Sequence, residues 1–178
     1  TNMQSRARAK QVAEAHYDIG NDLYEVMLCP RMVYTCGYWK DAKTLAEAQD
    51  AKLELICKKA GLKPGMRVLD LGCGFGGFAM YAAEKYGVEV LGVTISTEQQ
   101  KWGAARAKKL GLNNVELRLQ DYRTVGGRFD RVVSIGMLEH VGWRNHRNFM
   151  EVIHRCLQKD GIAVLHTIGS NENQKHGI

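Results

Sequence analysis

Apolar and polar positions before residue 63 follow helical spacing. A helix is predicted from Thr44 to Gly61, because Glu47 stands three residues after Thr44 in the pattern of a capping box and glycine ends helices well. The apolar positions of this stretch lie at helical intervals: Leu45, Ala48, Ala51 and Leu55. Residues 1 to about 28 are also predicted to be helical, with breaks near 16–18 and 20–21.

After residue 63, short apolar runs alternate with helical patterns. Strands are predicted at 66–71, 89–94, 115–120, 129–135 and 162–167, and helices at 76–86, 98–110 and 145–157. This alternation predicts parallel βαβ units, and hence an α/β protein with a doubly wound, mostly parallel sheet. We expect one domain, in which residues 1–62 form a helical segment that covers a ligand-binding core over 63–178. Ligands of such sheets bind at the carboxyl ends of the strands.

Composition and charge exclude several classes of protein. The chain has 178 residues, 45% hydrophobic and 25% charged, which is typical of one globular domain rather than a disordered chain. No apolar run reaches the roughly 20 residues of a membrane-spanning helix. The five cysteines form no C-x-x-C pair and no Cys/His cluster with ligand spacing, so neither a disulfide scaffold nor a metal site is expected. The net charge of +6 favours a polyanionic partner but does not choose among nucleic acid, membrane surface and acidic substrate.

A glycine-rich turn follows the first strand of the core. Gly72 permits a tight turn and Gly74 allows a ligand to approach the backbone, with the next helix favouring negative charge at its start. With Gly77 they also satisfy G-x-G-x-x-G, a weak signal for a nicotinamide dinucleotide. Two features argue against a dinucleotide. Asp70 would repel its pyrophosphate, although it would tolerate a cationic sulfonium. The second strand ends at Thr94 without the acid that would hold a ribose hydroxyl. In the remaining alternative, Asp70 only caps the turn and the loop binds nothing.

The segment 68–77, V-L-D-L-G-C-G-F-G-G, resembles the first motif of class I S-adenosylmethionine methyltransferases. Further blocks narrow the match: Y-T-C-G-Y-W at 34–39, V-T-I-S at 93–96 followed by Q-Q at 99–100, Q-D-Y-R at 120–123, G-M-L-E-H-V-G at 136–142 and L-H-T-I-G at 165–169. In this order they resemble the family of cyclopropane-fatty-acyl-phospholipid synthases and mycolic acid cyclopropane synthases, from about residue 16 to 170.

The resemblance implies a Rossmann-like fold and an S-adenosylmethionine site. Its methionine end lies at the glycine turn, under a cover from the N-terminal segment, and a hydroxyl and an amide replace the usual acid at the ribose. The implied cofactor residues are Tyr34, Thr35, Asp70, Gly72, Gly74, Thr94, Ile95, Gln99, Gln120, Asp121, Tyr122 and Ile135. The adenine is expected beside 120–122, although Asp121 taken alone is also typical of a turn.

The resemblance also implies the reaction, in which a methylene is transferred to the cis double bond of an unsaturated phospholipid acyl chain. A carbocation forms and a bound bicarbonate ion removes a proton to close the cyclopropane ring. The positions that match the bicarbonate site are Cys36, Glu139, His166 and Ile168. Taken singly, Cys36 is also compatible with a small core residue, His166 with a hydrogen-bonded core histidine, and Glu139 with a helix cap.

Such a substrate lies in a membrane, so we expect a cytoplasmic protein that binds the inner face of the cell membrane reversibly. Candidate docking residues on the last predicted helix are Arg144, Arg147, Arg155 and Lys159, with a merely solvated face as the alternative. No nucleic acid partner is expected, and a homodimer is left open. The other readings are a methyltransferase that adds a plain methyl to the double bond or to another substrate, a nucleic acid methyltransferase, and a fragment that binds cofactor without turnover.

Family members continue beyond the fifth strand, and those that act on phospholipids carry an additional N-terminal domain. We therefore expect this chain to be a fragment, truncated after the fifth strand, whose last strand has an unprotected edge.

Overall fold

The computed structural model describes residues 21–169. Five strands form one sheet: β1 (Arg67–Leu71), β2 (Glu89–Thr94), β3 (Val115–Leu119), β4 (Phe129–Ile135) and β5 (Leu157–His166). The helices among these residues are α1 (Asn21–Met27), α2 (Leu45–Ala60), α3 (Gly77–Tyr86), α4 (Thr97–Lys109), α5 (Leu138–Val141) and α6 (His146–Cys156). The predicted α/β class is confirmed. The part of the N-terminal helical prediction that covers residues 1–20 lies outside the described residues.

The sheet has the strand order β3-β2-β1-β4-β5, and its neighbouring strands pair in parallel. The chain builds outward from β1 to β3 and then returns to the other side of β1 with β4. Strand order therefore reverses between β1 and β4. In open parallel sheets this switch point, at the carboxyl ends of the strands, is where a crevice for ligands opens.

Alternate residues of β1 pack into different hydrophobic clusters. Val68 belongs to a cluster with Leu53 and Phe78, whereas Leu69 belongs to a second cluster with Phe149. Side chains alternate between the faces of a strand, so this split shows that both faces of the central strand are covered. The predicted strand at 66–71, which is apolar except for Arg67 and Asp70, is thereby explained.

Helix α2 begins and ends as predicted. The Thr44 hydroxyl accepts a hydrogen bond from the Glu47 amide, the Glu47 carboxylate accepts one from the Thr44 amide, and Gly61 takes a left-handed conformation with φ 59°. Its buried face differs from the predicted one, because Leu45 is exposed and Leu55 only half-buried. The face that packs on the core carries Gln49, Lys52, Leu53, Ile56, Cys57 and Ala60, together with Ala48.

Two elements near the end of the sheet also differ from prediction. The four-residue helix α5 follows β4 directly, and so short a helix carries no readable periodicity. Strand β5 begins at Leu157, whereas the strand was predicted at 162–167. Its first part is irregular, because Asp160 has φ 64° and the pairing with β4 shifts register here.

Of the four residues predicted to share one basic helix, only Arg147 and Arg155 lie on α6, since Arg144 lies in the 3₁₀ turn before it and Lys159 in β5. The Arg155 guanidinium donates hydrogen bonds to the carbonyls of Arg123 and Val125. Arg144 and Arg147 remain exposed.

Segment 21–62 packs on the sheet, since α2 contacts α3 and β5. The division of the chain at residue 62 stays a prediction. Within residues 21–169, no helix is long and apolar enough to cross a bilayer.

Candidate active site

A cavity of about 370 Å³ opens at the carboxyl ends of the strands. All twelve residues predicted to hold the cofactor line it, and they come from the carboxyl ends of β1, β2 and β4, from the segments that follow β1, β2 and β3, and from the N-terminal segment. The lining also includes residues that the sequence analysis did not select, among them Val33, Phe75, Phe78, Met137 and His140. Parallel strands explain the convergence, because their carboxyl ends meet at one edge of the sheet.

The glycine turn needs glycine at its first position. Gly72 has φ 79°, and a Cβ at this position would lie 2.5 Å from the Met137 sulfur. The amides of Gly72 and Cys73 both donate to the Val93 carbonyl, at 3.0 Å. These bonds hold the turn against the end of β2 and keep the backbone open to the cavity.

Asp70 is the most deeply buried acid of the cavity lining. It is 2% exposed, and its Oδ2 atom is buried without a hydrogen-bond partner. Burial raises the pKa of Asp70 to about 7. A cationic ligand beside it would stabilise the ionised carboxylate.

At the end of β2 the structure refines the predicted ribose site. The buried Thr94 hydroxyl donates to Oε1 of Gln99 at 3.2 Å and accepts a bond from the Ser96 amide. Ser96 in turn caps α4 by accepting from the Gln99 amide. Thr94 thus orients Gln99, whose side-chain NH₂ is left as the donor for a ribose hydroxyl.

At the end of β3, Asp121 has the turn role that the sequence analysis considered for it. Its Oδ1 accepts bonds from the Arg123 amide and from Nε of Arg123, both at 2.9 Å, and so caps the short 3₁₀ turn over Tyr122–Thr124. It also lines the cavity, as do Gln120 and Tyr122. An adenine contact stays a prediction.

Thr35 is fixed over the cavity by polar side chains of α2. Nε2 of Gln49 donates to the Thr35 carbonyl, and Nζ of Lys52 donates to the Thr35 hydroxyl, each at 2.6 Å. The Thr35 methyl packs where Gly136 has no side chain. The neighbouring Tyr34 is 55% exposed at the rim of the cavity. This arrangement places both residues where the sequence analysis expected a cover.

The four predicted catalytic residues form two pairs beside the cavity. The Cys36 sulfur lies 3.5 Å from Nε2 of His166, and the Ile168 amide donates to Oε1 of Glu139 at 2.6 Å. None of the four lines the cavity itself, but Cys36 follows Thr35, and Glu139 lies between Met137 and His140.

The electrostatics of these pairs favour a neutral imidazole and an ionised carboxylate. Burial lowers the pKa of His166 and the Lys52 ammonium lowers it further, although Glu139 acts in the opposite direction. Burial raises the pKa of Glu139, but hydrogen bonds, first from the Ile168 amide, outweigh it, so the pKa of Glu139 is lowered overall. Nδ1 of His166 is buried without a partner. The neutral imidazole of His166 and the ionised carboxylate of Glu139 can each accept a proton. The unpartnered Nδ1 atom can bind a further polar group.

Gln49 and Lys52 are the polar residues that sequence reasoning missed. A signal for them exists: the spacing of Leu53, Ile56 and Ala60, extended backwards by helical intervals, falls on both. The predicted apolar positions, Leu45, Ala48, Ala51 and Leu55, include neither of them.

Comparison with known proteins gives a consistent result. The family model described as mycolic acid cyclopropane synthetase matches residues 4–177. The chain is 54% identical, over 171 residues, to cyclopropane-fatty-acyl-phospholipid synthase of Escherichia coli (strain K12), covering 96% of this chain and 44% of that protein. It is 38% identical over 175 residues to sphingolipid C9-methyltransferase 2 of Gibberella zeae, covering 94% of this chain and 34% of that protein.

A solved structure agrees with these relatives. A mycolic acid cyclopropane synthase crystallised with SAH and CTAB superposes with a TM-score of 0.84 at 37% identity, covering 88% of this chain and 55% of that one. The predicted Rossmann-like methyltransferase fold is confirmed. The chain spans about half the length, or less, of the relatives it matches. From its motifs, its fold and these matches, the chain belongs to the mycolic acid cyclopropane synthetase family.

Proposed function

We propose that this protein transfers a methylene from S-adenosylmethionine to the cis double bond of an unsaturated phospholipid acyl chain, forming a cyclopropane ring. The observation that carries the proposal is the position of the two polar pairs, Cys36 with His166 and Glu139 with Ile168, beside a cavity suited to the cofactor. The 54% identity to a named cyclopropane-fatty-acyl-phospholipid synthase supports it.

The cavity fits S-adenosylmethionine. The unpartnered Oδ2 of Asp70 suits the positive charge of the ligand, the turn at Gly72 leaves room for a close approach, and Gln99 offers an amide donor. When bound, S-adenosylmethionine supplies an electrophilic methyl group on a sulfonium. An alkene is a poor nucleophile, so the apolar residues of the lining must exclude water while the substrate is held in line.

Ring closure needs a base for the carbocation left by methyl transfer. We propose that the two pairs hold a bicarbonate ion for this role. The neutral imidazole of His166 offers a donor, and the ionised Glu139, which already accepts a bond from the Ile168 amide, offers an acceptor for the bicarbonate O–H. This set of donors and acceptors matches an ion that carries one O–H and two further oxygens.

The second candidate is addition of a plain methyl group to the double bond. The relative named sphingolipid C9-methyltransferase 2 favours it. Both products gain one CH₂ in mass, so mass alone does not separate them. Only the methylated product keeps a double bond that ozone cleaves.

We propose that the substrate is reached by reversible docking on the membrane. Trp143, 72% exposed, lies under the guanidinium of Arg144, and Arg147 is exposed on the following helix. Trp39 and Ile168, in the segments that carry Cys36 and His166, are 53% and 74% exposed. An aromatic residue next to a cation suits the lipid–water interface. The cytoplasmic location and a homodimer stay predictions.

The test incubates the protein with S-adenosylmethionine and vesicles of unsaturated phospholipid, with mass spectrometry of lipid and spent cofactor before and after ozonolysis. We expect an ozone-resistant lipid, heavier by one CH₂, for each S-adenosylhomocysteine formed. Glu139→Gln should keep cofactor affinity within about threefold and lose product, while Glu151→Gln, an exposed change on α6, should behave like wild type. An ozone-sensitive product would select plain methylation. Spent cofactor without modified lipid would refute both candidates.

A further inference from the structure

Lys52 is a buried lysine in the middle of α2, and it is only 3% exposed. Burial lowers the pKa of Lys52 to about 8, while Cys36 and Cys29 act in the opposite direction. The side chain therefore remains largely protonated near pH 7. An ammonium group in such a place is costly unless an opposite charge is near.

Within residues 21–169, no carboxylate forms an ion pair with Lys52. The two acids nearest to it along α2 are engaged elsewhere: Asp50 pairs with Arg31 at 2.6 Å, and Glu54 accepts bonds from two tyrosines. The hydrogen bond of Nζ to the Thr35 hydroxyl uses one of its three donors. The positive charge thus lacks a counter-charge from the described part of the chain.

The position of this charge relates it to the base site. Thr35, its hydrogen-bond partner, precedes Cys36, whose sulfur lies 3.5 Å from Nε2 of His166. Helix α2 packs on β5, which ends at His166, and the Lys52 ammonium is close enough to lower the pKa of that imidazole. One further buried polar atom near this charge has no partner, Nδ1 of His166. An imidazole N–H and a buried ammonium group are both donors, and a small bound oxyanion would satisfy them.

We infer that the ammonium group of Lys52 is the counter-charge that retains a small oxyanion at the base site. The inference rests on the proposed function for the identity of the ion, bicarbonate. Lys52 is a positioning residue in this scheme, because it holds the anion next to Thr35. The proton of the reaction passes to the anion and not to Lys52.

The test uses neutral and charged substitutions at the same position. Lys52→Gln keeps a donor for the Thr35 hydroxyl and removes the charge, whereas Lys52→Arg keeps the charge. Lys63→Met, at an exposed position outside the site, is the control for loss of one positive charge. The readout is the dissociation constant for bicarbonate, from the rise in melting temperature with bicarbonate at constant ionic strength in chloride. The affinity for S-adenosylmethionine is measured in parallel.

We expect bicarbonate to bind wild type and the Lys63→Met control equally, and at least tenfold more weakly to Lys52→Gln. Lys52→Arg should keep most of the affinity, and S-adenosylmethionine binding should change less than threefold throughout. In bicarbonate-free buffer Lys52→Gln should melt no lower than wild type, because a buried charge has been removed. A residue that only supports Thr35 would give the opposite pattern, with binding retained in Lys52→Gln.

Equal bicarbonate affinity in wild type and Lys52→Gln, or no binding to wild type, would overturn the inference. The proposed function is judged separately by lipid product. Product formation with equal affinities would overturn the role of Lys52 and leave the function standing. Lysine-dependent binding without product would support the role of Lys52 and refute the function.

Discussion

Replacing Asp70 by asparagine removes a carboxylate that has almost no access to water. Asp70 is 2% exposed at the carboxyl end of β1, and its Oδ2 atom has no hydrogen-bond partner. Burial raises the pKa of Asp70 from the ordinary value of 3.8 to about 7. At neutral and higher pH the ionised carboxylate of Asp70 therefore destabilises the folded protein in the absence of a cationic ligand.

The size of this effect follows from the pKa difference. Between pH 3.8 and about 7 the folded state holds a proton on Asp70 that the unfolded state has lost, so stability falls as pH rises. Each pH unit costs about 1.4 kcal/mol, and the full shift amounts to about 4 kcal/mol as an upper limit. Below pH 3.8 both states are protonated and the group contributes nothing.

The assay is urea unfolding of wild type and Asp70→Asn between about pH 4.5 and 8.5, without ligand. The free energy of unfolding of Asp70→Asn minus that of wild type should increase with pH and level off above pH 7, with a total rise of about 2–4 kcal/mol. Taking the difference cancels the other titrating groups. Asp41→Asn, at an exposed loop position, is the control for the loss of one carboxylate. Parallel curves for Asp70→Asn and wild type would refute the reasoning.

The same carboxylate links cofactor affinity to pH. S-adenosylmethionine should bind wild type more weakly as pH falls below 7, by up to about tenfold per unit, because the proton on Asp70 competes with the cation. Calorimetric titrations should show this dependence in wild type and its absence in Asp70→Asn.

Three further predictions concern the cavity, α2 and the surface. Gly72→Ala should weaken cofactor binding at least tenfold by calorimetry, because φ 79° and the Met137 sulfur oppose a Cβ; unchanged affinity would contradict this. Thr44→Ala should lower the free energy of unfolding in urea by about 1 kcal/mol without affecting cofactor affinity, since only the capping box is lost. Sedimentation with anionic vesicles should show binding that weakens between about 0.05 and 0.5 M NaCl and weakens further in Trp143→Ser; indifference to salt would remove Arg144 and Arg147 from docking.

The sequence predicted residues that line the cavity, and it did so for a topological reason. Residues such as Gly72, Thr94 and Asp121 each lie at the end of a predicted strand or directly after it, and parallel strands bring their carboxyl ends to one edge. Strand topology did not predict the pairing of Cys36 with His166, which lie 130 positions apart. No periodicity or spacing relates these two residues, and only the resemblance to a family placed them together.

Local patterns were sufficient wherever neighbours along the chain determine the outcome. The capping box at Thr44, the glycine turn and the alternation of strands with helices are interactions within a few residues, and the structure contains each of them. What only the tertiary structure decided is which face of α2 turns inward. Helical periodicity sets the angles between side chains, but the elements packed against the helix determine which of its faces is buried. Packing against α3 and β5 turned Lys52 inward with Leu53, and the low polarity of that interior sets the charge states of Lys52 and Asp70.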